Sequence, residues 1–253
     1  MTSLTRMLAV LDLFTESTPS WTAEAINQAC GYSSPTGYRY VRELTEAGLL
    51  RSAAGATYVL GPRIIELDYQ VRVGDPLLQA GRDTMRQMAA TTGCDVVMAT
   101  IYGDRIITIH HEVGSETTGV SYGRGRRMPL FRGALSKLIV ASLPRARQRS
   151  LYEEHGEEGV GSSFAPSWDV LLANAKTIRR EGFAVSRGEL DTGLVAIGVP
   201  LASVGARLVG SLGFVMSAKR YAMVDEARTA AMLRDAGQQV EQRIEQSATA
   251  PSG

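Results

Sequence analysis

Between Gly31 and Leu60 the apolar positions of the chain change period. Gly37, Tyr40, Val41 and Leu44 fall at i, i+3, i+4 and i+7, which predicts one buried face of a helix. Ser34 is a favourable N-cap for that helix, and Pro35 suits its first position, where no backbone N–H is needed. Gly48 suits a left-handed cap at its end. Residues 49–51 and 57–60 predict two short strands around the turn Ala53-Ala54-Gly55-Ala56. Tyr38, Arg39 and Arg42 lie on the other helix faces and point outward. A capped helix with such an edge, followed by a hairpin, is the pattern of a winged helix-turn-helix that reads DNA. Packing alone also produces a helix and a hairpin, and two arginines on a helix often mark only a solvated face.

Upstream, Leu4, Leu8, Leu11 and Phe14 repeat at spacings of four and three and predict a first helix over residues 4–14. Thr22 is an N-cap for a short second helix over residues 23–30, with Ile26 inward. Downstream, residues 64–71 predict a linker helix that stops at Gly74-Asp75-Pro76. A helix over residues 76–92 follows, with Leu78, Met85 and Met88 on its inner side. The pattern then becomes strand-like over residues 96–102 and 105–111, around the turn Gly103-Asp104, with a third strand expected over 118–122. Helices are expected over 133–141, 144–155 and 168–181, the last capped by Ser167 and closed by Gly182. Strands are expected over 183–186, 194–200 and 208–216, with a turn at Val204-Gly205-Ala206 between the last two. A long helix over 225–246 closes the chain. The fold class is α+β: a winged helix-turn-helix over 1–60, a linker helix over 61–74, a ligand-binding domain over 75–247 and a flexible tail over 248–253.

A net charge of +1 over 253 residues gives no overall attraction for polyanions, so any nucleic-acid surface must be local. Cys30 and Cys94 stand far apart and have no metal or redox spacing. The short apolar run at the start is broken by Asp12 and lacks a small-residue cleavage site, and no stretch reaches the length of a membrane span. A cytoplasmic protein is expected, with no cofactor and no metal.

Several stretches resemble the IclR family of bacterial transcriptional regulators: LTRMLAVLDLF, SSPTGYRYVRELTEAGLL, YVLGPRIIEL, MPLFRGALSK, IRREGFAVSRGELDTGLVAIGVPL and VGSLGF. The resemblance covers nearly the whole chain. It implies a GAF-like effector domain behind the winged helix. It also implies dimerisation through the DNA-binding half, pairing again as tetramers, and control of a double-stranded operator by a small effector, commonly as a repressor.

The resemblance places Ser34, Pro35, Thr36, Tyr38, Arg39 and Arg42 at the DNA, with the arginines suited to guanine edges or phosphates. By position it places Ala134, Leu135, Leu194, Ala196, Gly213 and Val215 at the effector. Members that bind small keto acids tend to carry Ser or Cys at several of these positions, and here they are apolar or glycine. That departure favours an aromatic or longer organic acid over glyoxylate or pyruvate. Arg132, just before a helix N-terminus, is a candidate clamp for a carboxylate. His110 and His111 are adjacent on a strand and face opposite sides, so they do not chelate one metal together. Gly123-Arg124-Gly125-Arg126-Arg127 lacks the third glycine of a dinucleotide fingerprint. A GAF-like enzyme is the remaining alternative. The sequence has no G-x-S-x-G, H-E-x-x-H or P-loop, and the carboxylate pair Glu189/Asp191 fits the family pattern.

Overall fold

The computed structural model describes residues 2–116, 118–203 and 208–249. The chain divides into two compact units that part between Asp75 and Pro76.

The first unit contains α1 (Ser3–Ala9), α2 (Ala23–Cys30), α3 (Ser34–Glu46) and α4 (Pro62–Gly74), with strands β1 (Trp21–Thr22), β2 (Leu50–Ala53) and β3 (Thr57–Leu60). In α3 the buried residues are Gly37, Tyr40, Val41 and Leu44, the stripe that the spacing predicts. The cap differs by one residue. Ser33, in extended conformation, precedes the helix, so Ser34 and Pro35 fill its first two positions. At the other end Gly48 has φ +73°, and Gly48 N and Leu49 N donate to Thr45 O and Leu44 O. That pair of bonds is a Schellman closure, and it turns the chain straight into the wing.

Only half of the predicted face of the first helix packs inward: Leu11 and Phe14 lie half-buried against the core. Leu4 and Leu8 are 63% and 44% exposed, whereas Val10 is fully buried among Ile26, Val41, Leu44 and Leu50. The α-helix tightens to a 3-10 turn at Val10–Leu13. A 3-10 helix has three residues per turn, so Leu11 and Phe14 fall out of phase with Leu4 and Leu8. The wing also gains a strand that two residues were too short to signal: Trp21 pairs Tyr58 and Thr22 pairs Thr57.

The second unit is one six-stranded sheet with helices on both faces. Its strands are β4 (Asp95–Tyr102), β5 (Arg105–Glu112), β6 (Arg127–Met128), β7 (Ala184–Arg187), β8 (Leu194–Ser203) and β9 (Leu208–Ser217). They are antiparallel, in the order β6-β5-β4-β9-β8-β7. The helices are α5 (Pro76–Thr92), α6 (Ala134–Ser142), α7 (Arg145–His155), α8 (Trp168–Glu181), α9 (Ala218–Tyr221) and α10 (Glu226–Thr249). Val96, Met98, Val199 and Phe214 pack with Leu77 and Met85 of α5 and Leu233 and Val240 of α10. Val97, Ala99 and Val215 pack with Leu135 and Leu138 of α6 and Leu171 of α8. With both faces covered, the central strands read as apolar runs rather than alternating ones.

The strand expected over 118–122 does not form. The glycine-rich turn after it takes that edge of the sheet instead: Gly125 N donates to Thr108 O, Thr108 N to Arg126 O, and β6 continues the pairing. The segment before the turn is tied by side chains, with the Thr118 hydroxyl donating to the Asp95 carboxylate. The turn expected at 204–206 lies outside the described residues. Helix α10 runs on to Thr249, past the expected start of a tail at 248, and residues 250–253 lie outside the description.

The second unit holds its own sheet and both helical layers. A fragment beginning at Pro76 is therefore expected to fold alone, with a single cooperative thermal transition. A fragment that shows no melting transition by circular dichroism contradicts the division at Asp75.

Candidate functional site

Two surfaces bring the candidate residues together, one in each unit. In the first, α3 and the wing border an open groove of about 960 Å³, lined in part by Pro35, Tyr38, Arg39, Arg42, Ser52 and Tyr58. Burial of the Tyr40–Val41–Leu44 stripe forces Tyr38, Arg39 and Arg42 outward, and all three are exposed. Ser34 is exposed at the helix start, and Thr36 is half-buried and accepts from the Ser33 hydroxyl at 3.0 Å. The Arg39 guanidinium lies over the Tyr40 ring at 5.5 Å, while Arg42 approaches Glu43 at 3.1 Å and Glu46 at 3.6 Å. Tyr38 donates its hydroxyl proton to Glu24 on α2. That bond pushes the Tyr38 phenol above its ordinary range and holds the Glu24 carboxyl below its own.

The second surface is a cavity of about 450 Å³ of empty space, partly open to solvent, between α6 and the sheet. Five sequence candidates line it together: Ala134, Leu135, Leu194, Ala196 and Val215. Val97 and Met128 complete its apolar walls. Gly213 lies beneath rather than beside it. A Cβ there would come within 3.0 Å of Leu135 Cδ1, so Leu135 covers this position. Arg132 is exposed and does not line the cavity.

The positive end of α6 is instead engaged by Glu189. Gly133 N donates to Glu189 Oε2 at 2.9 Å, and the buried Lys137 ammonium bonds Glu189 Oε1. The remaining wall comes from the irregular segment before the glycine-rich turn, which supplies Val120 and Tyr122. Two carboxylates tether it. Asp95 accepts from Gly114 N at 2.7 Å and from the Thr118 hydroxyl, and Asp191 accepts from Ser121 N at 3.2 Å.

The profile described as "Bacterial transcriptional regulator IclR C-terminal" matches residues 71–242, and the "IclR helix-turn-helix domain" matches residues 3–54. The chain belongs to the IclR family. Among curated relatives, the HTH-type transcriptional regulator KipR of Bacillus subtilis (strain 168) is 25% identical over 199 residues, 79% of each chain. The HTH-type transcriptional regulator XynR of Escherichia coli (strain K12) is 23% identical over 230 residues, 90% of each chain. An IclR homologue from Microbacterium hydrocarbonoxydans, solved in complex with 4-hydroxybenzoate, shares the fold. Its TM-score is 0.80 at 19% identity, covering 97% of this chain and 100% of that one. The protein is thus a transcriptional regulator with a DNA-binding helix-turn-helix domain and a C-terminal effector domain, and these relatives are regulators rather than enzymes.

In this IclR-family chain the histidines form separate pairs. His110 Nε2 lies 2.8 Å from Glu112 Oε1, and His111 Nε2 lies 3.4 Å from Asp95 Oδ2. Among the described residues no three His, Cys, Asp or Glu side chains are placed to hold a metal, and no helix is long and apolar enough to cross a membrane. Tyr122, Met128, Ser186, Glu189, Leu190 and Asp191 are cavity residues that position in the sequence did not single out for the effector. For Glu189 and Asp191 the signal was present, as paired carboxylates in a glycine-bounded loop.

Arg39→Ala is expected to weaken operator binding by about 1–3 kcal/mol if its guanidinium contacts a base edge bidentately. Gel-shift titration at fixed salt measures this. Unchanged affinity in both Arg39→Ala and Arg42→Ala contradicts the assignment of α3 as the reading helix.

Proposed function

We propose that this regulator binds its operator as a homodimer through α3, and that an organic acid with an aromatic body binds the effector cavity and changes operator affinity. Exposed apolar residues in the first unit support the dimer. Helix α4 has no buried residue, and Ile65, Tyr69 and Val73, at helical spacing, are 75%, 62% and 54% exposed. Leu4 and Leu8 of α1 are exposed as well, and a second copy that covered these side chains would remove apolar surface from water. A two-fold pair of α3 helices then matches two operator half-sites.

The ligand class rests on one observation: an apolar cavity is lined at one end by Glu189, whose carboxylate is held by the N-terminus of α6 and by the buried Lys137 ammonium. Leu135, Leu194, Ala196 and Val215 suit a hydrocarbon ring, and Tyr122 and Ser186 supply the cavity's hydroxyls. Lys137, the partner of Glu189, is a buried charge, and leaving it unpaired is costly. A ligand carboxylate that takes the place of Glu189 keeps Lys137 paired and keeps an anion on Gly133 N–H. The clamp expected of Arg132 passes to these two groups. The aromatic acid bound by the Microbacterium homologue has this chemistry, and the likeness to that protein is one of fold.

A thermal-shift screen of the full chain tests the reading, with 4-hydroxybenzoate and benzoate set against glyoxylate and pyruvate. A bound acid at 100 times its dissociation constant stabilises the fold by about 2.7 kcal/mol. The aromatic acids are expected to raise the melting temperature, and more so in Glu189→Gln, where the competing carboxylate is gone. Stabilisation by the two keto acids alone contradicts the aromatic assignment, and a smaller shift in Glu189→Gln contradicts the exchange.

A further inference from the structure

Helix α2 carries a carboxylate into the DNA-reading groove's neighbourhood. Glu24 lies in its first turn, is exposed, and accepts the Tyr38 hydroxyl proton from α3. A carboxylate beside a DNA-reading helix repels phosphate, so its presence there calls for a partner other than the backbone. The hydrogen bond fixes what Tyr38 offers to DNA. A phenol has one proton, and this one is committed to Glu24. Glu24 also accepts from its own backbone N–H and from the Thr22 side chain, and what the Tyr38 oxygen and the remaining Glu24 lone pairs can offer a duplex is acceptors alone.

Phosphates offer no donor to such a pair, and in the major groove neither does guanine N7 or O6, nor thymine O4. Only cytosine N4 and adenine N6 present donors there. Adenine carries its N7 acceptor beside N6, which would face the second acceptor of the pair, whereas cytosine presents its amino group without one. We infer that Glu24 and Tyr38 act together as a specificity element that selects a cytosine amino group in each operator half-site. Glu24 is ionised and Tyr38 protonated at neutral pH, as a carboxylate and a phenol ordinarily are, and their mutual bond shifts each group further in that direction. This inference rests on α3 being the reading helix.

The experiment selects duplexes from a random library with the full chain at fixed salt, using the wild type, Glu24→Ala, Tyr38→Phe and Arg39→Ala. Both Glu24 and Tyr38 are exposed, so their replacement leaves the core of the unit intact. The wild type is expected to enrich cytosine at one fixed position of each half-site about tenfold over the other bases. Glu24→Ala and Tyr38→Phe are expected to lose that preference and keep the rest of the consensus. Recovery of the same cytosine by both variants overturns the inference. If Arg39→Ala alone alters the consensus, α3 remains the reading helix and the pair is only a tie between helices. Enrichment of adenine instead of cytosine overturns the base assignment, and no enrichment by the wild type overturns both the inference and the reading on which it rests.

Discussion

The effector half of this protein depends on how closely α6 sits on the sheet. Gly198 and Gly213 face each other across β8 and β9. A Cβ on Gly198 would lie 3.1 Å from Leu138 Cδ1, and one on Gly213 would lie 3.0 Å from Leu135 Cδ1. The two glycines thus form a shallow seat that only a strand without side chains provides. Larger residues there would lift α6 and open the cavity floor. Because the helix sits low, its first turn meets the loop before β8, and Glu189 reaches both Gly133 N and Lys137.

A similar constraint shapes the helix-turn-helix half. Asn27 of α2 is buried against α3, and a Cβ on Gly37 would fall 1.3 Å from its Oδ1. Helices α2 and α3 can approach this closely only because position 37 has no side chain. The approach fixes the distance from Glu24 to Tyr38 and hence the chemistry of the groove edge. The Schellman closure at Gly48 then sends the chain into β2, so the wing stands beside the exposed arginines.

Much of this was legible in the sequence, and the exceptions have physical causes. The buried stripe of α3 obeys a single helical period, so Tyr40, Val41 and Leu44 announced themselves. The first helix changes period at Val10, so a constant 3.6-residue repeat finds Leu11 and Phe14 but also puts the exposed Leu4 and Leu8 on the inner face and misses Val10. Strand β1 has two residues and exists only because Trp21 and Thr22 find Tyr58 and Thr57. Residues 118–122 have strand-forming composition, but the side chain of Asp95 and the turn at 123–126 compete for them and for the sheet edge. In the cavity, the apolar residues on α6, β8 and β9 are legible by position, whereas Arg132 is a candidate only through its neighbourhood in the sequence. One residue further, at Gly133, the chain turns with φ +85°, and Arg132 is left outside. Glu189 was visible as a carboxylate, but its partner Lys137 is 52 positions away, and no local pattern links them.

In the proposed reading α3 meets DNA and the acid occupies the cavity; the two lie in separate units, so regulation requires that occupancy of one be felt by the other as a coupling free energy. The most direct measurement is the affinity of the full chain for a duplex carrying its operator, by anisotropy at fixed salt, with and without saturating 4-hydroxybenzoate. The account predicts a change of about fivefold or more in the dissociation constant, absent when Ala196→Phe fills the cavity. An identical dissociation constant with and without the acid, under conditions where the acid stabilises the fold, would contradict it.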